Sequence, residues 1–377
     1  MNSRPLRIVH VIARMNVGGP AILISALMNG LQNKDFESHL ITGYCEVNEV
    51  DYLQANKLNL GETRIAGFGR SISIFSDLKS LMLIMKALRK AKPDIVHTHT
   101  AKAGAIGRIT ALIAVPRAKR IHTFHGHLLH GYFSPRKTNL VILIEKLLAK
   151  ITNLILVVGN EVKSDLLNAG IGTDRKMQVT FPGLKVESSA EKAKTRDSLG
   201  ISQDAVVLIF VGRLTQIKRP ERLIDSYRKS IEPNSNSVLL IVGDGELRNS
   251  LEKQSAGLNV KFLGWRTDVY DLMVASDIAI LTSDNEGMPI TLIEAAHLGL
   301  PAISTEVGSV SDVVIHAITG YLTPLDESVI AERIKQLVQS KSLREKFGLA
   351  AKAHAQVNFS VESMIQLHKN AYKSLIE

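Results

Sequence analysis

Short apolar runs of β type alternate with segments of helical periodicity along this chain, in two separate series. In the first half the candidate strands are 7–12, 38–42, 94–99, 119–124 and 154–158. Between them lie segments such as 76–92, where Leu78, Leu81, Met82, Met85 and Leu88 recur at helical spacing until Pro93 ends the pattern. The second half repeats the alternation, with candidate strands at 205–211, 238–242, 260–263, 277–282 and 301–304. Strands separated by helices imply an open parallel sheet, here two of them, in an α/β chain. A length of 377 residues is more than one core usually fills. The polar stretch 182–200 is the linker candidate, which divides the chain into domains 1–183 and 184–359. Open α/β sheets bind ligands beyond the carboxyl ends of their strands, so two such domains facing each other make an interdomain cleft.

With 45% hydrophobic and 22% charged residues the chain can bury sizeable cores and is not disordered. Its one cysteine, Cys45, cannot form an intramolecular disulfide, and no Cys/His group has zinc spacing, which predicts a reducing compartment. The first apolar stretch, from Leu6 to Ile12, is too short for a signal sequence and reads as a strand. The longest apolar region, 140–158, is interrupted by Glu145, Lys146 and Lys150 and is not a spanning helix. The expected location is the cytoplasm.

The net charge of +10 is one-sided. Residues 1–183 hold 24 Lys and Arg against 12 Asp and Glu, a balance of +12; residues 184–377 hold 22 against 24, a balance of −2. Nucleic acid is a poor partner for a chain that is 5% aromatic and carries none of the usual binding motifs. An anionic membrane surface or an anionic acceptor suits a basic N-terminal domain better.

The most informative segment is Asp284-Asn285-Glu286-Gly287-Met288-Pro289-Ile290-Thr291-Leu292-Ile293-Glu294-Ala295. It follows a buried-strand pattern and enters a helix, which puts Glu286 on the loop and Glu294 on the helix. Backbone N–H groups of Met288, Ile290 and Thr291 at a helix N-terminus face an anion such as a diphosphate, with Gly287 in the turn before them. Carboxylates accept hydroxyls well, so Glu286 is placed at a hexose and Glu294 at a ribose. A capped helix with two solvated acids accounts for the same residues.

Other loops carry further candidates. Gly18 and Gly19, after the first strand, let the backbone approach a ligand, and Pro20 suits the first helical position. Neither Gly-x-Gly-x-x-Gly nor a Walker sequence is present, so dinucleotide and P-loop chemistry are not indicated. Histidines gather where two more strands end, in His97-Thr98-His99-Thr100-Ala101-Lys102 and His122-Thr123-Phe124-His125-Gly126-His127. His97, His99, Lys102 and His127 are the candidate acceptor contacts. Metal binding is a rival reading that the absence of an acidic residue from either run disfavours. Arg213 and Lys218 flank a loop leaving the first strand of the second domain, where a planar fork of donors and a compact charge can both reach a diphosphate. Gly243-Asp244-Gly245 ends the next strand and admits close approach of a base or ribose, although turn chemistry explains it equally well.

Taken in order, these motifs resemble the family 4 retaining glycosyltransferases of the GT-B fold. The match runs from Gly18-Gly19-Pro20 through His125-Gly126, Gly212-Arg213 with Lys218 and Gly243-Asp244-Gly245 to Glu286 and Glu294. The histidine segments look most like a group of bacterial enzymes that build surface polysaccharides. The resemblance implies two Rossmann-like domains facing across a cleft, with a final segment 360–377 crossing back to the N-terminal, acceptor-binding domain. It also implies a UDP-sugar donor, no metal cofactor, and transfer of a hexose or N-acetylhexosamine to a lipid-linked or glycan acceptor at the inner membrane face. In such enzymes Glu286 contacts the transferred sugar, Glu294 holds the ribose and Arg213 and Lys218 bind the diphosphate. The Gly18-Gly19 loop approaches that diphosphate, and His125 sits at the sugar. The sequence departs from the family where Gly308-Ser309-Val310-Ser311-Asp312 replaces a Gly-Gly-x-Pro-Glu pattern, and at Pro289, which has no N–H to donate. A UDP-sugar epimerase of the same fold and a non-catalytic nucleotide-sugar-binding subunit are the rival functions.

Overall fold

The computed structural model describes residues 4–47, 49–69, 74–126, 135–231 and 236–376. The chain forms two compact units, Met1–Gly183 with Val361–Glu377, and Leu184–Ser360. Each is built on one parallel sheet.

In the first unit the strands are β1 (Leu6–Ile12), β2 (Phe36–Thr42), β3 (Thr63–Arg64), β4 (Ile95–His99), β5 (Lys119–Phe124), β6 (Leu154–Val157) and β7 (Met177–Val179). Their spatial order is β3-β2-β1-β4-β5-β6-β7. The order reverses between β1 and β4, the switch point beyond whose carboxyl ends such sheets bind ligands. β4 is buried along its whole length because helices cover both faces of the sheet, so polar His97 and His99 lie in the interior with Ile95 and Val96. Register sets His10 of β1 opposite His97, and Ile12 opposite His99.

The second unit has β8 (Val206–Val211), β9 (Ser237–Val242), β10 (Val260–Gly264), β11 (Ile278–Leu281), β12 (Ala302–Thr305) and β13 (Gly320–Thr323). Their order is β10-β9-β8-β11-β12-β13, with the reversal between β8 and β11. Ten of these thirteen strands coincide with predicted ones to within two residues at either end. β3, β7 and β13 are absent from the sequence reading. Each lies at an edge of its sheet, and β3 and β7, two and three residues long, are too short to carry a period.

The apolar region 140–158 resolves into the helix Pro135–Lys150 followed by β6. Glu145, which breaks the apolar run, faces inward. Its oxygens accept from Nη2 of fully buried Arg108 at 2.9 and 2.7 Å, while Arg108 Nε donates to the Gly104 carbonyl at 2.7 Å. Leu140, Leu143 and Leu147 of the same helix face outward instead. Among the described residues no helix is long and apolar enough to cross a membrane.

The helix Val361–Lys373 belongs to the first unit and packs on the helix Gly19–Leu31, where Gly30 leaves room for Ile365. At its end Tyr372 is completely buried, with its hydroxyl 2.8 Å from His97 Nδ1.

Candidate active site

In the second unit the segment after β11 is held from several sides. Asp284 N–H donates to the Ile217 carbonyl at 2.9 Å, Thr282 Oγ1 donates to the Arg219 carbonyl at 2.9 Å, and Arg222 reaches the Thr282 carbonyl and Asp284 Oδ1 at 2.8 and 2.6 Å. These bonds clamp the Arg213–Arg219 loop onto the strand end, and Arg219 takes left-handed backbone angles at φ 49°. Glu286 is thereby turned into the unit, 7% exposed. Lys218 Nζ donates to its Oε1 and Oε2 at 2.7 and 2.9 Å, and Ser283 Oγ donates to Oε1 at 2.5 Å. Such partners offset the cost of burying a carboxylate. Arg213 is exposed, and no hydrogen bond or ion pair of its side chain is found among the described residues.

Gly287 accepts from Ser309 N–H at 3.3 Å, which fixes the turn before the helix Ile290–His297. Leu292 and Ile293 donate the first helical bonds, both to the Pro289 carbonyl, so the N–H groups of Ile290 and Thr291 lie ahead of the bonded part, with Met288 in the preceding turn. Glu294 is half-buried on this helix. Its carboxyl is pushed up to about 7 by burial, against which the Tyr270 hydroxyl, donating to Oε1 at 3.2 Å, holds it down. It is therefore poised between acid and carboxylate near neutrality.

Packing within the unit accounts for Gly243. A Cβ there would lie 2.0 Å from the Gly212 carbonyl oxygen, and one on Gly245 would lie 2.4 Å from that of Leu214. Leu214 N–H also donates to the Asp244 carbonyl at 3.0 Å. The close approach these glycines permit is to the neighbouring Gly212–Leu214 loop, which they lock in place; they do not need a base or ribose to explain them.

Gly18 in the first unit is the opposite case. Its φ of 161° is ordinary extended backbone, and a Cβ would find only the Asn16 carbonyl oxygen, at 4.0 Å. Nothing in the interior demands a glycine at this position. With Arg14, Asn16, Pro20 and Thr100 it lines a cavity of about 210 Å³ beyond the carboxyl ends of β1 and β4. Thr100 holds a strained φ of 65° there, a feature that gathers at functional sites. Gly19 begins the helix, with Pro20 in its first turn.

The histidines form one buried cluster. His97 is fully buried, with Nδ1 on the Tyr372 hydroxyl at 2.8 Å and Nε2 on Thr123 Oγ1 at 2.6 Å. His99 is 1% exposed, with Nε2 3.1 Å from His10 Nδ1 and Nδ1 3.0 Å from His125 Nε2. Both nitrogens of each ring are committed inside the unit, so neither His97 nor His99 contacts an acceptor; a strand covered on both faces points its side chains into packing. Lys102 is tied to Asp77 at 2.6 Å, and His127 lies outside the described residues. Burial lowers this group, His10 to about 3, His125 and His368 to about 4, and His97 and His99 well below the usual range; it also lowers His122, which lies apart from them on the other face of the sheet, 2.9 Å from Thr98 Oγ1. Nitrogens of His10, His97 and His99 approach within 4.8 Å of one another, the spacing of a metal site, yet those of His97 and His99 are already bonded to protein.

Sequence reasoning missed Ser283, Tyr270, His10, His368 and Tyr372. Of these, only His10 left a signal, a histidine among the apolar residues of a buried strand.

Comparison with known proteins identifies the family. Residues 17–187 match the model for glycosyltransferase family 4 and residues 191–354 that for glycosyl transferases group 1. The chain is 35% identical over 274 residues to the UDP-Gal:alpha-D-GlcNAc-diphosphoundecaprenol alpha-1,3-galactosyltransferase of Escherichia coli, covering 68% of this chain and 69% of that protein. It is 27% identical to the capsular polysaccharide biosynthesis glycosyltransferase CapM of Staphylococcus aureus, over 82% and 84% of the two chains. Its fold is similar to that of Anabaena HepE, whose crystal structure holds UDP, with a TM-score of 0.84, 21% identity, and coverage of 98% and 100%. The chain belongs to the family 4 glycosyltransferases of the GT-B fold.

Proposed function

We propose that this chain transfers a hexose or N-acetylhexosamine from a UDP-sugar, with retention and without a metal ion, to a lipid-linked or polysaccharide acceptor in surface-glycan synthesis. The observation that carries this reading is the ion pair of Lys218 and Glu286 beside the free end of the helix Ile290–His297, with Arg213 exposed in the same loop region. It combines a cation, a hydroxyl acceptor and helix N–H groups, the three things a sugar diphosphate needs. Support comes also from the relatives: the E. coli protein is named for UDP-Gal and a diphosphoundecaprenol acceptor, and HepE is also seen with UDP-glucose.

Glu286, held by Lys218 and Ser283, is oriented to accept sugar hydroxyls and is a poor nucleophile for a double displacement. The reaction then proceeds on one face of the sugar. As the bond between the sugar carbon and the UDP oxygen breaks, the acceptor oxygen bonds to that carbon from the same side, and its proton passes to the departing phosphate oxygen. Arg213 and Lys218 stabilise the charge growing on UDP, where fixed cations lower a barrier most. Glu294 holds the ribose, Gly18 and Gly19 leave room for the diphosphate, and His125 stands at the sugar.

Attachment to an anionic membrane from the cytoplasmic side is part of the proposal. The helix Pro135–Lys150 exposes Leu140, Leu143, Ile144 and Leu147, and the neighbouring helix Ala101–Ala114 exposes Leu112 and Ile113. Exposed Arg117, Arg136, Lys137 and Lys146 lie among them in sequence, an apolar and basic combination suited to an anionic interface.

A mass-spectrometric screen of sugar nucleotides, with and without lipid-linked acceptors, tests the function. Transfer only when acceptor is present supports it. Conversion of a UDP-sugar without acceptor points to an epimerase, and donor binding without turnover to a non-catalytic subunit.

A further inference from the structure

His10, His99 and His125 lie in a row. His10 Nδ1 is 3.1 Å from His99 Nε2, and His99 Nδ1 is 3.0 Å from His125 Nε2. The rings of His10 and His99 have centroids 5.4 Å apart at 15°, and those of His99 and His125 are 5.2 Å apart at 36°. With nitrogens in contact, these separations place the rings edge to edge rather than face to face. The row has two loose ends, since His10 Nε2 and His125 Nδ1 are buried without a hydrogen-bond partner among the described residues.

Proton counting couples those ends. Each neutral imidazole carries one N–H, so three rings share three protons over six nitrogens. The two inner contacts each take one. The third must sit at one end, and the other end is then a bare lone pair. Burial keeps these rings neutral near pH 7, which supports the count.

The surroundings choose the direction. His10 lies on a strand buried between helices, where a stranded N–H is worse tolerated than a stranded lone pair. His125 lines a cavity of about 20 Å³ with Thr180, whose hydroxyl is likewise unpartnered, and that space is sized for one water or hydroxyl group. We infer that His10 and His99 are positioning residues that run one tautomer outward, each donating from Nδ1 to the next Nε2, so that His125 presents Nδ1–H as a hydrogen-bond donor. All three are then the Nδ1–H tautomer, the one free histidine disfavours. His97, bonded to Tyr372 and Thr123 and 4.1 Å from His99 between ring centroids, keeps the middle ring from turning.

The role in turnover rests on the reading that His125 stands at the sugar; the tautomer chain does not. Nitrogen-15 NMR of the full chain, labelled at histidine, reads both nitrogens of each ring. His10, His99 and His125 are expected to be protonated at Nδ1 at pH 7.5. His10→Leu is expected to let His125 revert in part to Nε2–H and to lower kcat by about tenfold or more with little change in KM for the donor, as misassigned tautomers do. His10→Asn, whose amide can still donate toward His99, is expected to restore both. Protonation of wild-type His125 at Nε2, a His125 tautomer indifferent to His10→Leu, or stoichiometric zinc in the purified protein overturns the chain. A tautomer shift with unchanged kcat leaves the chain standing and overturns its role in turnover, and with it the placement of His125.

Discussion

Lys218 and Glu286, which motif reading assigns to the diphosphate and to the sugar, are bonded to each other, with Nζ 2.7 and 2.9 Å from the two carboxylate oxygens. In the proposed function the cation assigned to the leaving group also fixes the acid assigned to the transferred sugar. Changing either residue is therefore expected to disturb both ends of the donor.

Arg213 and Lys218 are separable by this contact. Arg213→Ala is expected to lower turnover by about 100-fold with little change in Tm, because an exposed, unpaired cation stabilises the transition state and not the fold. Lys218→Ala is expected to lower turnover as much and Tm as well, since it strands a buried carboxylate. In the double variant Lys218→Met with Glu286→Gln, Tm recovers and turnover does not. Near-normal turnover in both single variants removes the leaving-group assignment.

Glu286→Gln is expected to impair transfer more than UDP binding, and Glu294→Gln to weaken UDP itself. Because the Glu294 carboxyl is pushed up to about 7, and ribose hydroxyls prefer its ionised form, UDP affinity should fall as pH drops through 7 and binding there should release protons. Calorimetry in buffers of differing ionisation heat checks this. An affinity flat from pH 6 to 8 with no proton release would mean that Glu294 does not touch the ribose.

The buried histidines make the first unit sensitive to acid. Their folded values lie below the unfolded 6.5, so the stability they contribute is complete above that pH and is lost as pH falls toward about 4, where His125 and His368 charge. Each ring that stays neutral in the fold costs about 1.4 kcal/mol per pH unit across this window. Thermal unfolding followed from pH 8 to 5 should show Tm falling mainly below 6.5. His10→Leu should reduce the slope, and a slope unchanged by it argues against a neutral buried His10.

No metal requirement is expected, because two cations, Arg213 and Lys218, are assigned to the diphosphate. Activity should survive EDTA. Loss on chelation with recovery on Mn²⁺ contradicts this.

Membrane attachment is tested by co-sedimentation of the full chain with liposomes. Binding to anionic vesicles, absence from neutral ones and release at high salt are expected, with basic residues contributing on the order of 1 kcal/mol each. Leu143→Ser with Leu147→Ser should weaken binding without lowering Tm, since both side chains are exposed. Indifference to anionic vesicles at low salt makes a soluble acceptor the better assignment.

The sequence by itself determined the two parallel sheets, because strands buried on both faces are written largely as apolar runs, unbroken in β6, β8 and β11 and interrupted by polar residues in β1, β4 and β5. It also marked the loops at the strand ends, where Gly18, Lys218 and Glu286 lie, and the helix that carries Glu294. Only the tertiary structure decided which of those residues meet. Lys218 and Glu286 are 68 positions apart, His10 and His99 are 89 apart, and His97 and Tyr372 are 275 apart. Sheet register and the returning C-terminal helix bring these groups within hydrogen-bonding distance, and neither leaves a local pattern. The same cause turned Glu145 inward and the leucines of its helix outward, since periodicity finds an apolar stripe but cannot say that a buried Arg108 waits for the acid on the other side. It also gave Gly243 to a neighbouring loop and enclosed His97 and His99, because long-range packing decides whether a glycine or a histidine faces a ligand or the protein itself.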